Sequence, residues 1–150
     1  MEPTIKKMTM NDVTRIVEIE TASFETTAWS KETFVKELTG NKFAHYYTVS
    51  LDDNIVGYFG MWIVEDHAQI TTIAVDRDYR GRKLGAFLLE YAITLAASHH
   101  VDVVSLEVKI DNEPAIRLYE SFGFNYGGIR KDYYGPGKDA NVMWVKVNER

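Results

Sequence analysis

The chain has no cysteine among its 150 residues. That excludes disulfides, thiolate metal sites and a cysteine nucleophile. Proline occurs only three times, and no low-complexity run or internal repeat marks a linker. No apolar stretch approaches the roughly 18–20 residues that a helix needs to cross a bilayer. The opening Met1 to Lys7 has no apolar core of the signal-peptide kind. No membrane partner is therefore expected, and the expected compartment is cytoplasmic. An excess of positive charge is missing too, since the formal net charge is −5. A general nucleic-acid binder needs a broad basic footprint, so no direct nucleic-acid partner is expected, although a local basic pocket stays open. Two phosphate loops are also absent. Neither G-x-x-x-x-G-K-[ST] nor G-x-G-x-x-G occurs, which leaves a nucleotide triphosphatase or dinucleotide oxidoreductase without support.

What is present describes an ordinary globular chain. Hydrophobic residues make up 45% and charged residues 26%, and the length suits one core. Residues 1–150 are read as a single domain. Thr4 to Met8 has strand character. Thr9 or Asn11 can cap a helix running to about Ala22, with Val13, Ile16, Val17 and Ile19 on its apolar face and Glu18 and Glu20 read as its solvated side. Ser30 is a second cap, before Phe34, Val35 and Leu38. His45 to Leu51 and Ile55 to Val64 read as a hairpin around the turn residues Asp52, Asp53 and Asn54, and Gln69 to Val75 as a third strand. Leu84, Phe87, Leu88, Tyr91, Ala92 and Leu95 recur at the spacing of an amphipathic helix. His99 and His100 close it, where a cation suits the dipole, and adjacent histidines make a poor metal pair. Val101 to Lys109 is almost continuously apolar, as in a strand covered on both faces. Asn112 caps a short helix that carries Pro114 in its first turn and stops at Gly123. Phe124 to Tyr134 and Val142 to Val147 close the chain as an antiparallel pair around Gly135, Pro136 and Gly137. The order β-α-α-β-β-β-α-β-α-β-β predicts an α/β (α+β) fold with a mixed sheet and helices on both faces.

The informative junction runs from Ile73 to Ala86. A β-branched strand enters a turn with Arg77, Arg80, Gly81, Arg82 and Lys83, then opens directly into a helix through Leu84, Gly85 and Ala86. Unpaired N–H groups and the positive dipole end make such a helix start a phosphate site, and glycine lets the backbone approach the oxygens. Taken alone, Gly81 and Gly85 read first as shaping a strand-to-helix turn. The surrounding arginines and lysine, in an acidic chain, favour an anion.

Arg80 to Ala86 resembles the pyrophosphate-binding motif Q/R-x-x-G-x-G/A of the GNAT acetyltransferases, with Lys83 standing at the first motif glycine. Leu106-Glu107-Val108, then Asn112, then Leu118-Tyr119-Glu120-Ser121-Phe122-Gly123-Phe124 is similar to the second signature of that family. The likeness spans nearly the whole chain. It is nearest to the RimI-type ribosomal-protein alanine N-acetyltransferases, through Ala28-Trp29-Ser30, Ile73-Ala74-Val75, Leu106-Glu107-Val108 and Arg130 to Tyr134.

The resemblance implies the GNAT acyl-CoA N-acyltransferase fold and an acetyl-CoA-dependent N-acetyltransferase with no metal. Acetyl-CoA is the co-substrate. Cofactor-binding residues would be Ile73, Ala74 and Val75, whose backbone would pair with the pantetheine arm, the loop Arg80, Gly81, Arg82, Lys83, Leu84, Gly85 and Ala86, and Asn112. Glu107 is the implied general base and Tyr119 the implied general acid. On residues alone, Glu107 also reads as a solvent-facing strand glutamate and Tyr119 as a core aromatic. Trp29, Tyr133 and Tyr134 are candidates to clasp an acceptor, or simply to pack under loops. Without a cysteine or another nucleophile beside a base, direct attack in a ternary complex is expected. The partner implied is a protein or peptide N-terminus, first of all the N-terminal alanine of a small-subunit ribosomal protein. A lysine side chain, a small-molecule amine and a non-catalytic acetyl-CoA-binding module remain as alternatives. The expected assembly is a monomer or weak dimer.

Overall fold

The computed structural model describes residues 2–148. Seven strands form one sheet in the order β1-β2-β3-β4-β5-β7-β6. They are β1 (Thr4–Lys7), β2 (Ala44–Leu51), β3 (Asn54–Val64), β4 (His67–Val75), β5 (Val103–Lys109), β6 (Asn125–Arg130) and β7 (Ala140–Lys146). Four α-helices accompany them: α1 (Val13–Phe24), α2 (Lys31–Gly40), α3 (Leu84–Ser98) and α4 (Glu113–Ser121). The succession of elements is the one the sequence predicts. All neighbours pair antiparallel except β4 and β5, which run parallel on either side of the α3 crossover.

Two apolar cores lie on opposite faces of the sheet. On one face Leu84, Leu88, Leu89, Ala92, Ile93 and Ala96 of α3 and Ile116 of α4 pack against Phe59, Met61, Ile70, Leu106 and Met143. On the other, Val13, Ile16 and Ile19 of α1 and Phe34 of α2 pack against Tyr46, Tyr58 and Ala74. Local chemistry starts α2 and α4 where the sequence places them, whereas α1 begins after Asp12 rather than at Thr9 or Asn11. The Ser30 hydroxyl accepts from the Thr33 N–H at 3.2 Å, and Asn112 Oδ1 accepts from the Ala115 N–H at 3.4 Å with Pro114 in the first turn, caps that contribute about 1 kcal/mol each.

Three expectations need correction. β5 is not covered on both faces: buried Val104, Leu106 and Val108 alternate with half-buried Val103, Ser105, Glu107 and Lys109, because α3 covers one face only. The last strand pair is shorter on the first arm and longer on the second, since β6 ends at Arg130 and β7 begins at Ala140. Asp132 turns the chain with φ +56°, and its side chain accepts from the Gly137 N–H at 2.7 Å, so Lys131 to Tyr134 leave the ladder. Glu20 is not solvated. It is 2% exposed.

Two departures from regular pairing shape the interior. β4 and β5 pair only from His67↔Val103 to Ile70↔Leu106, and beyond that point the two strands part. At the same place the β3–β4 register slips between Gly60↔Thr72 and Met61↔Ile70, which makes Thr71 the extra residue of a β-bulge. The bulge reverses the side-chain alternation: Ile70 packs on the α3 side, whereas Thr72 and Ala74 face α1.

Candidate active site

The parted strands open three connected spaces. A cleft of about 820 Å³ lies between Ile73–Val75 of β4, Tyr79 to Ala86 at the start of α3, and Lys109 to Tyr119 around α4. A groove of about 460 Å³ on the opposite side is lined by Thr27, Trp29, Trp62, Gln69, Thr71, Glu107, Tyr133 and Tyr134. A cavity of about 110 Å³ lies between them and shares Ile73, Asn112 and Tyr119 with the cleft and Trp29, Thr71, Glu107 and Tyr134 with the groove.

The cleft carries features that suit a phosphate-bearing ligand. No side chain caps the first turn of α3, so its N–H groups are left for a ligand. Lys83 sits at the cap position in the left-handed region, φ +64°, the backbone shape that favours glycine. Gly81 is also left-handed, at φ +81°. Ile73, Ala74, Val75, Arg80, Gly81, Lys83, Leu84, Gly85, Ala86 and Asn112 all line the cleft. Arg82 does not. Its guanidinium lies over the Tyr79 ring, 5.1 Å from the centroid. Asn112 has a second task, since the same side chain caps α4. The loop is braced from behind by Asp76, which accepts from the Asp78 N–H at 2.9 Å and from Arg15. These bonds, that of Asp78 first, hold the Asp76 carboxyl below the usual aspartate range.

Glu107 lies at the inner end of the groove. Its side chain is 11% exposed, and its two oxygens accept from Gln69 Nε2 at 2.8 Å and Arg130 Nη1 at 2.9 Å. The Tyr134 hydroxyl donates to the Glu107 carbonyl at 3.0 Å, tying the β6–β7 loop to β5. Tyr119 stands on the buried face of α4, 6% exposed, its ring tilted against Phe124. Burial alone pushes its hydroxyl pKa up, so the phenol stays protonated near neutrality. Burial and the neighbouring Tyr133, Glu107 and Tyr119 raise that of Tyr134.

Residues 13–124 match the Acetyltransferase (GNAT) family. The chain belongs to this family. A Bacillus subtilis (strain 168) protein, provisionally named as a [ribosomal protein bS18]-alanine N-acetyltransferase, is 44% identical over 97% of this chain and 96% of its own. The [ribosomal protein bS18]-alanine N-acetyltransferase of Salmonella typhimurium is 37% identical over 80% of this chain and 82% of its own. The crystal structure of the ribosomal-protein-S18-alanine N-acetyltransferase from Escherichia coli superposes with a TM-score of 0.87 at 30% identity, covering 97% of this chain and 94% of that one. The protein is thus an acetyl-CoA-dependent N-acetyltransferase, similar to the RimI type.

In this GNAT enzyme the cleft fits coenzyme A: it offers open N–H groups, cationic Arg80 and Lys83, and a β4 edge released from β5. Of the other candidates, Trp29, Tyr133 and Tyr134 line the groove together with Glu107. Sequence reasoning missed Trp62, Gln69 and Thr71 in the groove wall, and missed two carboxylates behind it. Glu37 accepts from Tyr46 Oη at 2.7 Å and from Trp62 Nε1. Glu20 accepts from Tyr58 Oη, from Thr72 Oγ1 at 2.9 Å and from the Trp29 N–H at 3.0 Å. Helical spacing carried a signal for both. Glu20 follows Val13 by seven and Ile16 by four, and Glu37 follows Phe34 by three, so each shares the face of its helix that is buried.

Proposed function

We propose that this GNAT enzyme transfers acetyl from acetyl-CoA to the α-amine of a protein N-terminus, in particular the N-terminal alanine of a small-subunit ribosomal protein, by direct attack in a ternary complex. The observation that carries the proposal is the small cavity, walled by both the cleft and the groove, with Glu107 on its groove side and Tyr119 on its cleft side. Two ligands entering from opposite sides meet there, so no acyl-enzyme is needed. The names of the Salmonella and Escherichia relatives support the choice of acceptor. Such a substrate would be met in the cytoplasm.

Acetyl-CoA supplies the activated acetyl thioester. The chain supplies the rest. Arg80, Gly81, Lys83, Leu84, Gly85 and Ala86 hold the diphosphate, Ile73 to Val75 the pantetheine arm, and Asn112 steadies its far end. Glu107, fixed by Gln69 and Arg130, takes the amine proton, directly or through one water. An α-amine with a pKa of about 7.7–8.0 releases its proton more readily than a lysine side chain at about 10.4, which matches so mild a base. Tyr119 returns a proton to the departing sulfur. Its raised pKa keeps that proton in place until then, and the buried site raises the basicity of the sulfur that receives it. Trp29, Trp62, Tyr133 and Tyr134 hold the acceptor backbone.

A panel assay tests the reading. Acetylation of a peptide that begins with alanine is expected, with intersecting initial-rate lines. Activity on small amines with none on the peptide overturns the acceptor. Parallel lines overturn direct attack. Binding of coenzyme A without turnover on any amine overturns catalysis.

A further inference from the structure

The bulge at Thr71 and Thr72 is held from the α1–α2 side by the two carboxylates that sequence reasoning missed. Thr71 Oγ1 pairs with Tyr46 Oη at 3.1 Å, and Tyr46 donates to Glu37. Thr72 Oγ1 donates to Glu20 directly. Consecutive side chains of an unbroken strand point to opposite faces. Here both threonines reach the same side, which only the bulge permits.

Glu20 is the more telling of the two. It is 2% exposed and no ion pair joins it to a cation among the described residues. Burial pushes its pKa up. A lone buried carboxylate is a poor choice for stability, because desolvating the charge costs more than burying a neutral side chain of the same shape. Its three partners are spread across the site. Tyr58 is on β3, Thr72 is on the bulge of β4, and Trp29 is in the segment that walls both the cavity and the acceptor groove. A carboxylate offers an acceptor oxygen in both directions and so meets all three donors, whereas an amide presents one acceptor atom and one donor group. Glu20 also lines the small cavity. Both its oxygens are engaged by these three donors, which lie on three different segments.

We infer that Glu20 is a positioning residue for acetyl transfer: it joins the β4 bulge to the Trp29 segment, and so sets the distance between the acyl carbonyl and the incoming amine. The inference rests on the proposed meeting of thioester and amine at the small cavity. Binding of coenzyme A in the cleft does not depend on this joint, because none of the three partners of Glu20 lines the cleft. Rate and affinity therefore separate.

The test uses the full chain with Glu20→Gln, acetyl-CoA and the alanine peptide. The expected result is a kcat lower by about tenfold or more, with coenzyme A affinity within about twofold of the parent and no fall in thermal midpoint near neutral pH. Thr72→Val removes one donor and leaves the fold-bearing helix untouched, and it should lower kcat in the same selective way. In the double variant the two losses should not multiply, as expected for residues acting as one unit. Parental kcat in either single variant overturns the inference. So does a parallel loss of kcat, coenzyme A affinity and thermal midpoint, which marks a merely structural role. If the parent acetylates a small amine and not the peptide, the proposed acceptor fails by itself, and the same split is read with that amine.

Discussion

Replacing Tyr119 by phenylalanine removes one oxygen from a position where the structure predicts opposite effects on folding and on rate. The ring stays where it is, packed against Phe124 and within the core that includes Ile116. The hydroxyl makes no hydrogen bond among the described residues, and its residue is 6% exposed. Removing a polar group that is largely desolvated and unpartnered should cost nothing and can stabilise by up to about 1 kcal/mol. Coenzyme A affinity should change little, because the cleft is held mainly by the α3 start and β4. Turnover should fall by about 10²- to 10⁴-fold, the usual worth of a positioned acid, or about 3–5 kcal/mol of barrier. Thiol release at saturating acetyl-CoA and peptide reads the rate, calorimetry reads the affinity, and urea unfolding reads stability. Turnover within twofold of the parent would remove Tyr119 from the chemistry. A rate loss accompanied by an equal loss of coenzyme A affinity would make it a wall of the cleft and nothing more.

Three further outcomes follow from particular contacts. Lys83→Gly relieves a left-handed lysine worth about 1–2 kcal/mol but adds freedom to the unfolded chain worth about 0.4–1 kcal/mol. Stability should stay within about 1 kcal/mol of the parent, while coenzyme A affinity becomes less sensitive to salt; an unchanged salt slope would mean that the Lys83 charge does not reach the ligand. Gly60→Ala would drive a methyl into the Tyr46 ring, and that ring cannot swing away because its hydroxyl is held by Glu37 and Thr71. A loss of about 1–3 kcal/mol in urea unfolding is expected, and parental stability would show that the ring is free to move. Two carboxyls give stability opposite slopes with pH. The Glu20 pKa is raised by burial, so the folded state holds that proton longer than the unfolded chain does: its contribution is full below the usual glutamate range and declines as pH rises through the folded value. The Asp76 pKa is lowered, by the Asp78 N–H and then Arg15, so its contribution is present above the usual aspartate range and is lost as pH falls through the folded value. Unfolding midpoints across pH should show the first slope vanish in Glu20→Gln and the second shrink in Arg15→Ala; slopes unchanged in both would refute the assignment.

The order of elements was legible because each is encoded locally, by the apolar spacing of α3, the caps Ser30 and Asn112, and the turn at Asp52 and Asp53. The cleft was legible for the same reason, since its strand, loop and helix are contiguous from Ile73 to Ala86. What stayed hidden depends on register. Gln69 to Val75 reads as one uniform β-branched strand, and nothing in it marks Thr71 as the residue that slips. The parting of β4 from β5 joins segments more than thirty residues apart, and neither strand announces where pairing stops. Glu20 was misread because charge was weighed above position: its spacing from Ile16 places it inward, and a glutamate there is tolerated only because Tyr58, Thr72 and Trp29 surround it. The strand β5 was read as doubly covered because its apolar residues outnumber the others, yet it is the uncovered face that brings Glu107 to the groove.

A protein shaped only to stay folded would have zipped β4 and β5 to their ends. That arrangement would satisfy more main-chain amides and leave nothing for a visitor to complete. By stopping the ladder at Ile70 and Leu106, the chain keeps two strand margins open in the middle of a sheet rather than at its edge. Substitutions that tighten this seam should make a sturdier molecule and a poorer catalyst.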